Sequence, residues 1–201
     1  MIKVYHSPRT RSLRVLWTLE EMGLEYETVA GSIREPTPEF AKVNPSLTLP
    51  AMVDGDVTIT ESVAIMMYLA EVYGPTPLAL KAGDPGFADY CQFLVFGEAG
   101  LAAPMNAVVG TKFFAPDDQK DNFTVKIVLD GFYKRMKLVE RQLERHEYLT
   151  GDAFTLADVS VGYTVGLAAG FLGLGDNIAS HVMAWHQKIT ARPAFQRAAL
   201  R

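Results

Sequence analysis

The chain has 201 residues, 49% of them apolar, enough to bury one large core or two smaller ones. A net charge of −4 and a pI near 5.6 give no electrostatic basis for capturing nucleic acid or an anionic membrane, so neither is expected as a partner. The single cysteine, Cys91, rules out an internal disulfide or a cysteine-rich metal site and fits a reducing compartment.

Met1 leads directly into a strand at residues 2–5, leaving no room for a signal peptide. The most apolar segments, residues 63–73 and 159–174, fall short of the ~18–20 unbroken apolar residues of a membrane span, and a soluble cytoplasmic protein is expected. Residues 11–22 form a helix with Arg14, Thr18 and Glu21 on one polar stripe, stopped by Gly23. Residues 26–29 are strand-like, and a short helix follows near residues 38–43. At Leu49-Pro50 the proline keeps its predecessor extended and has no backbone donor, which suits a sheet edge with unpaired main-chain groups. Residues 51–53 and 57–60 make a hairpin around Asp54-Gly55-Asp56.

A helix over residues 62–73 comes next, apolar nearly all round, so it must be covered on several sides. Prolines and glycines at 74–77 and 83–86 break the chain, and no strand is expected beyond them. Helices are predicted over residues 87–109, 119–146, 156–169, 181–191 and 194–200. The second of these places Val125, Val128, Leu129, Phe132, Met136, Val139 and Leu143 at helical spacing. The expected architecture is an α/β domain of residues 1–76, a linker of 77–85 and an all-helical domain of 86–201.

Two helix starts carry groups suited to an anion. In the turn Ser7-Pro8-Arg9-Thr10-Arg11-Ser12, a hydroxyl lies where the helix dipole and unpaired N–H groups stabilise a thiolate. Thr10 is the first candidate donor, Ser12 the second and Ser7 the third; plain helix capping by Thr10 or Ser12 is the alternative. At the other start, the Ser62 hydroxyl and free N–H groups suit a carboxylate, and Glu61 suits an ammonium. With an open edge at Leu49, these parts fit a small peptide with charged ends. Thr155-Leu156-Ala157-Asp158 reads as a capping box stapled by Phe154 and Val159, with Asp158 buried and satisfied. Cys91 is expected to be a small buried apolar residue. The histidines (His6, His146, His181, His186) show no metal spacing, so no metal is expected, and only His6 is near the proposed site.

This order of elements, with these residues, resembles the cytosolic glutathione transferase family over nearly the whole chain. Residues 7–21 resemble the first turn and helix of bacterial and fungal members. Asn44-Pro45, Pro50, Asp54-Gly55 and Thr60-Glu61-Ser62 are similar to the glutathione-site half, and residues 151–158 to a motif of the C-terminal domain. The resemblance implies a thioredoxin-like domain followed by a helical-bundle domain, usually as a homodimer, with glutathione as co-substrate. It implies a cis Pro50, the Leu49 backbone pairing with the cysteinyl unit, Ser62 taking the γ-glutamyl carboxylate, and Glu61 near the ammonium. Thr10 matches the serine that many relatives aim at the thiolate; an alignment shifted by one or two residues gives the role to Arg11 or Ser12.

Leu47-Thr48 stands where many relatives have Gly-Lys. Lys42 or Arg34 is the expected substitute for the missing lysine, a low affinity for glutathione is the alternative, and Thr48 stays among the glutathione-site positions. The turn has no cysteine, which disfavours the omega and beta types. A hydrophobic electrophile is expected between the domains, against Phe96, Met105, Phe113 and Phe114, with Phe93 and Tyr163 beyond them; plain core packing is the alternative for each. The implied activity is glutathione transfer to an electrophilic carbon. The alternatives are glutathione-dependent peroxide or disulfide reduction, or a non-catalytic binding protein of the same fold.

Overall fold

The computed structural model describes residues 1–201. The chain divides into two compact units, Met1–Ala79 with Thr190–Arg201, and Leu80–Ile189.

The first unit is built on a four-stranded sheet of order β2-β1-β3-β4. Alternate side chains of β1 (Ile2–His6) are buried, including Ile2 and Val4. Helix α1 (Ser12–Met22) crosses over to β2 (Tyr26–Ala30), which therefore runs parallel to β1, from Ile2↔Tyr26 to His6↔Ala30. Val15, Leu16, Trp17 and Leu19 of α1 are fully buried, and Gly23 ends the helix at a φ of 65° that favours glycine. Helix α2 (Pro38–Val43) starts at Thr37, whose hydroxyl accepts the Phe40 N–H at 3.1 Å. Strand β3 (Ala51–Asp54) lies antiparallel to β1, and β4 (Val57–Thr60) returns along it through the expected Asp-Gly turn. Helix α3 (Ser62–Val72) buries Ile65, Met66 and Leu69 but leaves Met67 53% and Val72 54% exposed.

The second unit is helical. Helix α4 (Phe87–Phe96) runs through a π-helical segment (Gly97–Ala102) into α5 (Ala103–Phe114). This 28-residue run, unlike residues 63–73 and 159–174, is long and apolar enough to cross a membrane by length and composition. Phe93, Leu94, Leu101, Met105 and Val108 within it are buried in the core. Helix α6 (Phe123–Leu143) begins at Asn122, whose side chain accepts the Val125 N–H at 3.0 Å. That is later than predicted, because a 3₁₀ turn occupies Asp117–Gln119. Every residue of α7 (Leu156–Gly166) up to Val165 is buried, and the helix continues as a second π-helical segment (Leu167–Phe171).

Helices α4 and α7 approach closely at Gly97. A Cβ there would lie 2.5 Å from the Ser160 carbonyl carbon. Ser160 and Thr164 donate to the Leu94 and Gly97 carbonyls at 2.8 and 3.0 Å. The capping box is present, with Asp158 fully buried. Cys91 is exposed, contrary to expectation. The inward positions of α4 are Tyr90, Phe93 and Leu94, and Cys91 points away from them. Helix α8 (Ser180–Thr190) buries Val182, Trp185 and Ile189.

Helix α9 (Pro193–Ala199), predicted as part of the helical domain of 86–201, belongs instead with the first unit. Phe195 packs edge-on against Trp17 with centroids 4.8 Å apart. Arg192 grips the Glu21 carboxylate with two hydrogen bonds of 2.6 and 2.8 Å, and Arg197 donates to Glu20 at 2.6 Å.

Candidate active site

The sheet register brings three loops together. Tyr5 pairs with Ala51, and Ala51 pairs with Thr60. The turn after β1, the Leu49-Pro50 step before β3 and the Glu61-Ser62 step after β4 therefore leave the same end of the sheet. Each loop also holds a non-glycine residue at positive φ: Arg9 at 65°, Leu47 at 56° and Glu61 at 67°. Such conformations cost about 1–3 kcal/mol each and concentrate at functional sites.

In the first loop, Thr10 is partly exposed and Ser12 lies fully buried behind it. Thr10 Oγ1 sits 2.6 Å from Ser12 Oγ and 2.8 Å from the Ser7 main-chain oxygen, and Ser12 Oγ sits 2.7 Å from His6 Nδ1. The residue at the cap position of α1 is Arg11, whose side chain makes no cap, and the Thr10 hydroxyl accepts the Ser12 N–H at a long 3.4 Å, so it also serves the first turn of the helix. Among the three candidate hydroxyls, those of Ser7 and Thr10 belong to partly exposed residues and that of Ser12 to a fully buried one. Ser7 contributes a main-chain oxygen to the cluster. Burial holds the His6 pKa below its usual value, opposed by the main-chain oxygen of Arg201.

In the second loop, the Leu49-Pro50 peptide is cis, as the resemblance implied; so is Gly74-Pro75, which was not anticipated. Leu49 is buried with Phe40 and Ala51, against Tyr5 and Val43. Gly31 makes room for it, since a Cβ there would come within 2.6 Å of Leu49 Cδ2. The strand ladder starts at Ala51, one residue past Pro50. Buried Asn44 organises the approach to this step. Its side-chain amide donates to the Thr48 main-chain oxygen at 2.7 Å, and its Oδ1 accepts from the Ser46 N–H and hydroxyl. The Thr48 hydroxyl joins the same loop network through Asn44 and Ser46. Lys42 is exposed on α2, and Arg34 is exposed on the segment that follows β2.

In the third loop, Ser62 begins α3 with 2% exposure, and its hydroxyl accepts from Arg14 Nη1 at 3.1 Å. Arg14 and Thr18 are fully buried, which corrects the polar-stripe reading of α1. The Thr18 hydroxyl donates back to the Arg14 carbonyl at 2.9 Å. A buried guanidinium beside the head of a helix adds positive potential to that of the helix dipole, a combination suited to a carboxylate. The sequence signal for Arg14 was its place inside Leu13, Val15, Leu16 and Trp17, a run with no other charge. Glu61 is exposed and makes no side-chain cap.

The apolar candidates lie in the helical unit. Phe93 and Met105 are fully buried, and Tyr163 is 9% exposed. Met105 and Val108 share the inward face of α5. Phe96 is half-buried and meets Phe93 edge-on. Phe113 and Phe114, at the end of α5, are 51% and 65% exposed, and Phe113 stacks on Phe171 with centroids 4.8 Å apart.

The N-terminal domain family of glutathione S-transferases matches residues 1–71, and the C-terminal domain family matches residues 102–193. The chain is 31% identical to glutathione S-transferase F10 of Arabidopsis thaliana, over 98% of this chain and 95% of that protein. It is 30% identical to glutathione S-transferase 3 of Zea mays, over 98% and 92%. A glutathione transferase from Phanerochaete chrysosporium, solved with oxidized glutathione, superposes with a TM-score of 0.87 at 26% identity, over 98% of this chain and 94% of that one. A family member from Pseudomonas fluorescens, solved with two glutathione molecules, gives 0.87 at 27%, over 98% and 92%. The chain belongs to the glutathione S-transferase family.

Proposed function

We propose that this chain transfers glutathione to a small hydrophobic electrophile, stabilising the thiolate at the head of α1. The observation that carries the reading is the shared sheet end. A partly exposed hydroxyl (Thr10), a cis proline step (Leu49-Pro50) and a helix start backed by a buried arginine (Ser62, Arg14) leave the sheet side by side. A tripeptide fits that spacing. Ser62 and its N–H take the γ-glutamyl carboxylate, with Arg14 behind them, and Glu61 meets the ammonium. The Leu49 main chain pairs with the cysteinyl unit, and the sulfur faces Thr10, with Arg11 beside it. Lys42 and Thr48 serve the glycyl end, and exposed Phe113 and Phe114, with Phe96, take the electrophile.

The half-exposed apolar face of α3 at Met67 and Val72 supports a C2 homodimer. A cytoplasmic location fits the single free thiol, and a detoxifying role would follow from transfer to electrophiles. A second reading, glutathione-dependent disulfide reduction, is favoured by the relatives that bind oxidized glutathione or two glutathione molecules.

Immobilised glutathione followed by a spectrophotometric conjugation assay tests the proposal. Retention with turnover of an aromatic halide or an unsaturated carbonyl is expected. Turnover of mixed disulfides alone selects the second reading, and binding without turnover of any of these substrates overturns catalysis.

A further inference from the structure

The turn after β1 holds more than a hydroxyl donor. His6 Nε2 lies 3.2 Å from the main-chain oxygen of Arg201. That oxygen can only accept, so Nε2 carries the ring proton and donates it, leaving Nδ1 bare in the neutral imidazole. Beside two longer contacts of 3.4 Å, from Ser12 Oγ to the Ser7 oxygen and from the Ser12 N–H to Thr10 Oγ1, three short ones run outward: His6 Nδ1 to Ser12 Oγ at 2.7 Å, Ser12 Oγ to Thr10 Oγ1 at 2.6 Å, and Thr10 Oγ1 to the Ser7 main-chain oxygen at 2.8 Å. Each short contact needs one proton. The two hydroxyls supply two, so the network is one proton short of its own geometry.

We infer that the missing proton is the one glutathione loses, and that His6 is its terminal acceptor, reached through the hydroxyls of Thr10 and Ser12. The inference rests on the reading above, in which the sulfur faces Thr10. The S–H bond breaks and Thr10 Oγ1 takes its proton. Thr10 passes its own proton to Ser12 Oγ, Ser12 passes its own to His6 Nδ1, and a new N–H forms there. Both hydroxyls are restored, the sulfur keeps the electron pair as thiolate, and the imidazole becomes imidazolium. Every short contact now has its proton. His6 donates to Ser12, Ser12 donates to Thr10, and Thr10 donates outward, shared between the Ser7 oxygen and the thiolate.

The environment suits both ends of this transfer. Burial lowers the His6 pKa, opposed by the Arg201 oxygen, so the ring enters the cycle neutral and able to accept. The negative sulfur then offsets the burial that disfavours the imidazolium. Ser12 is fully buried and His6 is 8% exposed, so Thr10 is the entry to the relay. When the thiolate is consumed by the electrophile, the imidazolium loses its counter-charge and releases the proton. His6 thus acts through two other side chains and positions the charge at the sulfur without touching it.

Proton counting tests this directly. Glutathione is titrated into the protein at neutral pH. Thiolate is followed by its ultraviolet absorption, and protons released are obtained from calorimetry in two buffers of different ionisation enthalpy. The wild type is expected to release far less than one proton per thiolate formed. His6→Asn keeps an oxygen that accepts from Ser12 but cannot take a proton, so release rises to nearly one per thiolate. Ser12→Ala, which cuts the relay with His6 in place, should do the same. One proton released per thiolate by the wild type overturns the inference, with no variant needed. So does a folded His6→Asn protein that still retains the proton. A wild type that binds glutathione with no thiolate absorption overturns the Thr10 reading as well, which separates that failure from this one.

Discussion

Replacing Asp158 by alanine tests how the helical unit is held together. Its fully buried carboxylate accepts the Leu149 N–H at 3.0 Å and the Trp185 indole N–H at 3.1 Å on one oxygen, and the Thr155 N–H at 2.9 Å on the other. The variant leaves those three donors buried and unpaired, at about 2 kcal/mol each, a loss of ~6 kcal/mol. Against this, burial raises the carboxyl pKa from 3.8 to about 6, despite the hydrogen bonds that pull it down. The ionised group therefore costs the folded state about 3 kcal/mol, which the variant no longer bears. The net prediction is a destabilisation of about 3 kcal/mol at pH 7. Urea denaturation followed by circular dichroism measures it as a fall in midpoint at constant slope.

The sign of the pH dependence follows from the same group. Its folded pKa lies above its unfolded one, so the folded state binds the proton more tightly. The wild type therefore gains stability relative to the variant as pH falls through about 6, by about 1 kcal/mol between pH 7 and pH 5. A midpoint equal to that of the wild type at pH 7, or a gap that narrows toward pH 5, would refute the reasoning.

Three further outcomes are expected. Gly97→Ala drives a methyl into the Ser160 main chain, which cannot swing aside as a side chain can, and should cost about 2 kcal/mol in the same denaturation assay. Thr10→Val should slow conjugation without abolishing it. Lowering a thiol pKa from ~8.5 to ~6.5 raises the thiolate fraction at neutral pH about 25-fold. It also lowers the sulfur's nucleophilicity about 8-fold, so about 3-fold in kcat/KM is at stake, and positioning of the electrophile carries the rest. Ser12→Ala should instead shift the pH profile of kcat/KM; a larger loss there than at Thr10 at every pH would reassign the sulfur's partner.

Much of the first unit was legible because its signals are local. Pro50 and Asp54-Gly55 restrict their own backbones, so the step before β3 and the hairpin follow from a few residues. The box at Thr155 and Asp158 was readable for the same reason. What was misread depends on partners distant in the chain. Arg14 was read as part of a polar stripe because nothing near it in the chain reveals that Ser62 will receive its guanidinium. Helix α9 looked like one more helix of the second domain, since its tie to Glu20 and Glu21 spans most of the sequence. The π-helical turn at Gly97 left no periodicity to find; it lies where α7 passes closely. At the candidate site, the sequence ranks Thr10 ahead of Ser12, but the burial of Ser12 behind it and its contact with His6 are not encoded in hydroxyl spacing.

A crystal structure of the glutathione-soaked protein bears most directly on the reading of this chain. The account predicts the sulfur within hydrogen-bonding distance of Thr10 Oγ1, the cysteinyl unit paired with the Leu49 main chain, and the γ-glutamyl carboxylate on Ser62. A sulfur held by Arg11 or Ser12, or a tripeptide seated away from the end of the sheet where Tyr5, Ala51 and Thr60 align, would contradict it.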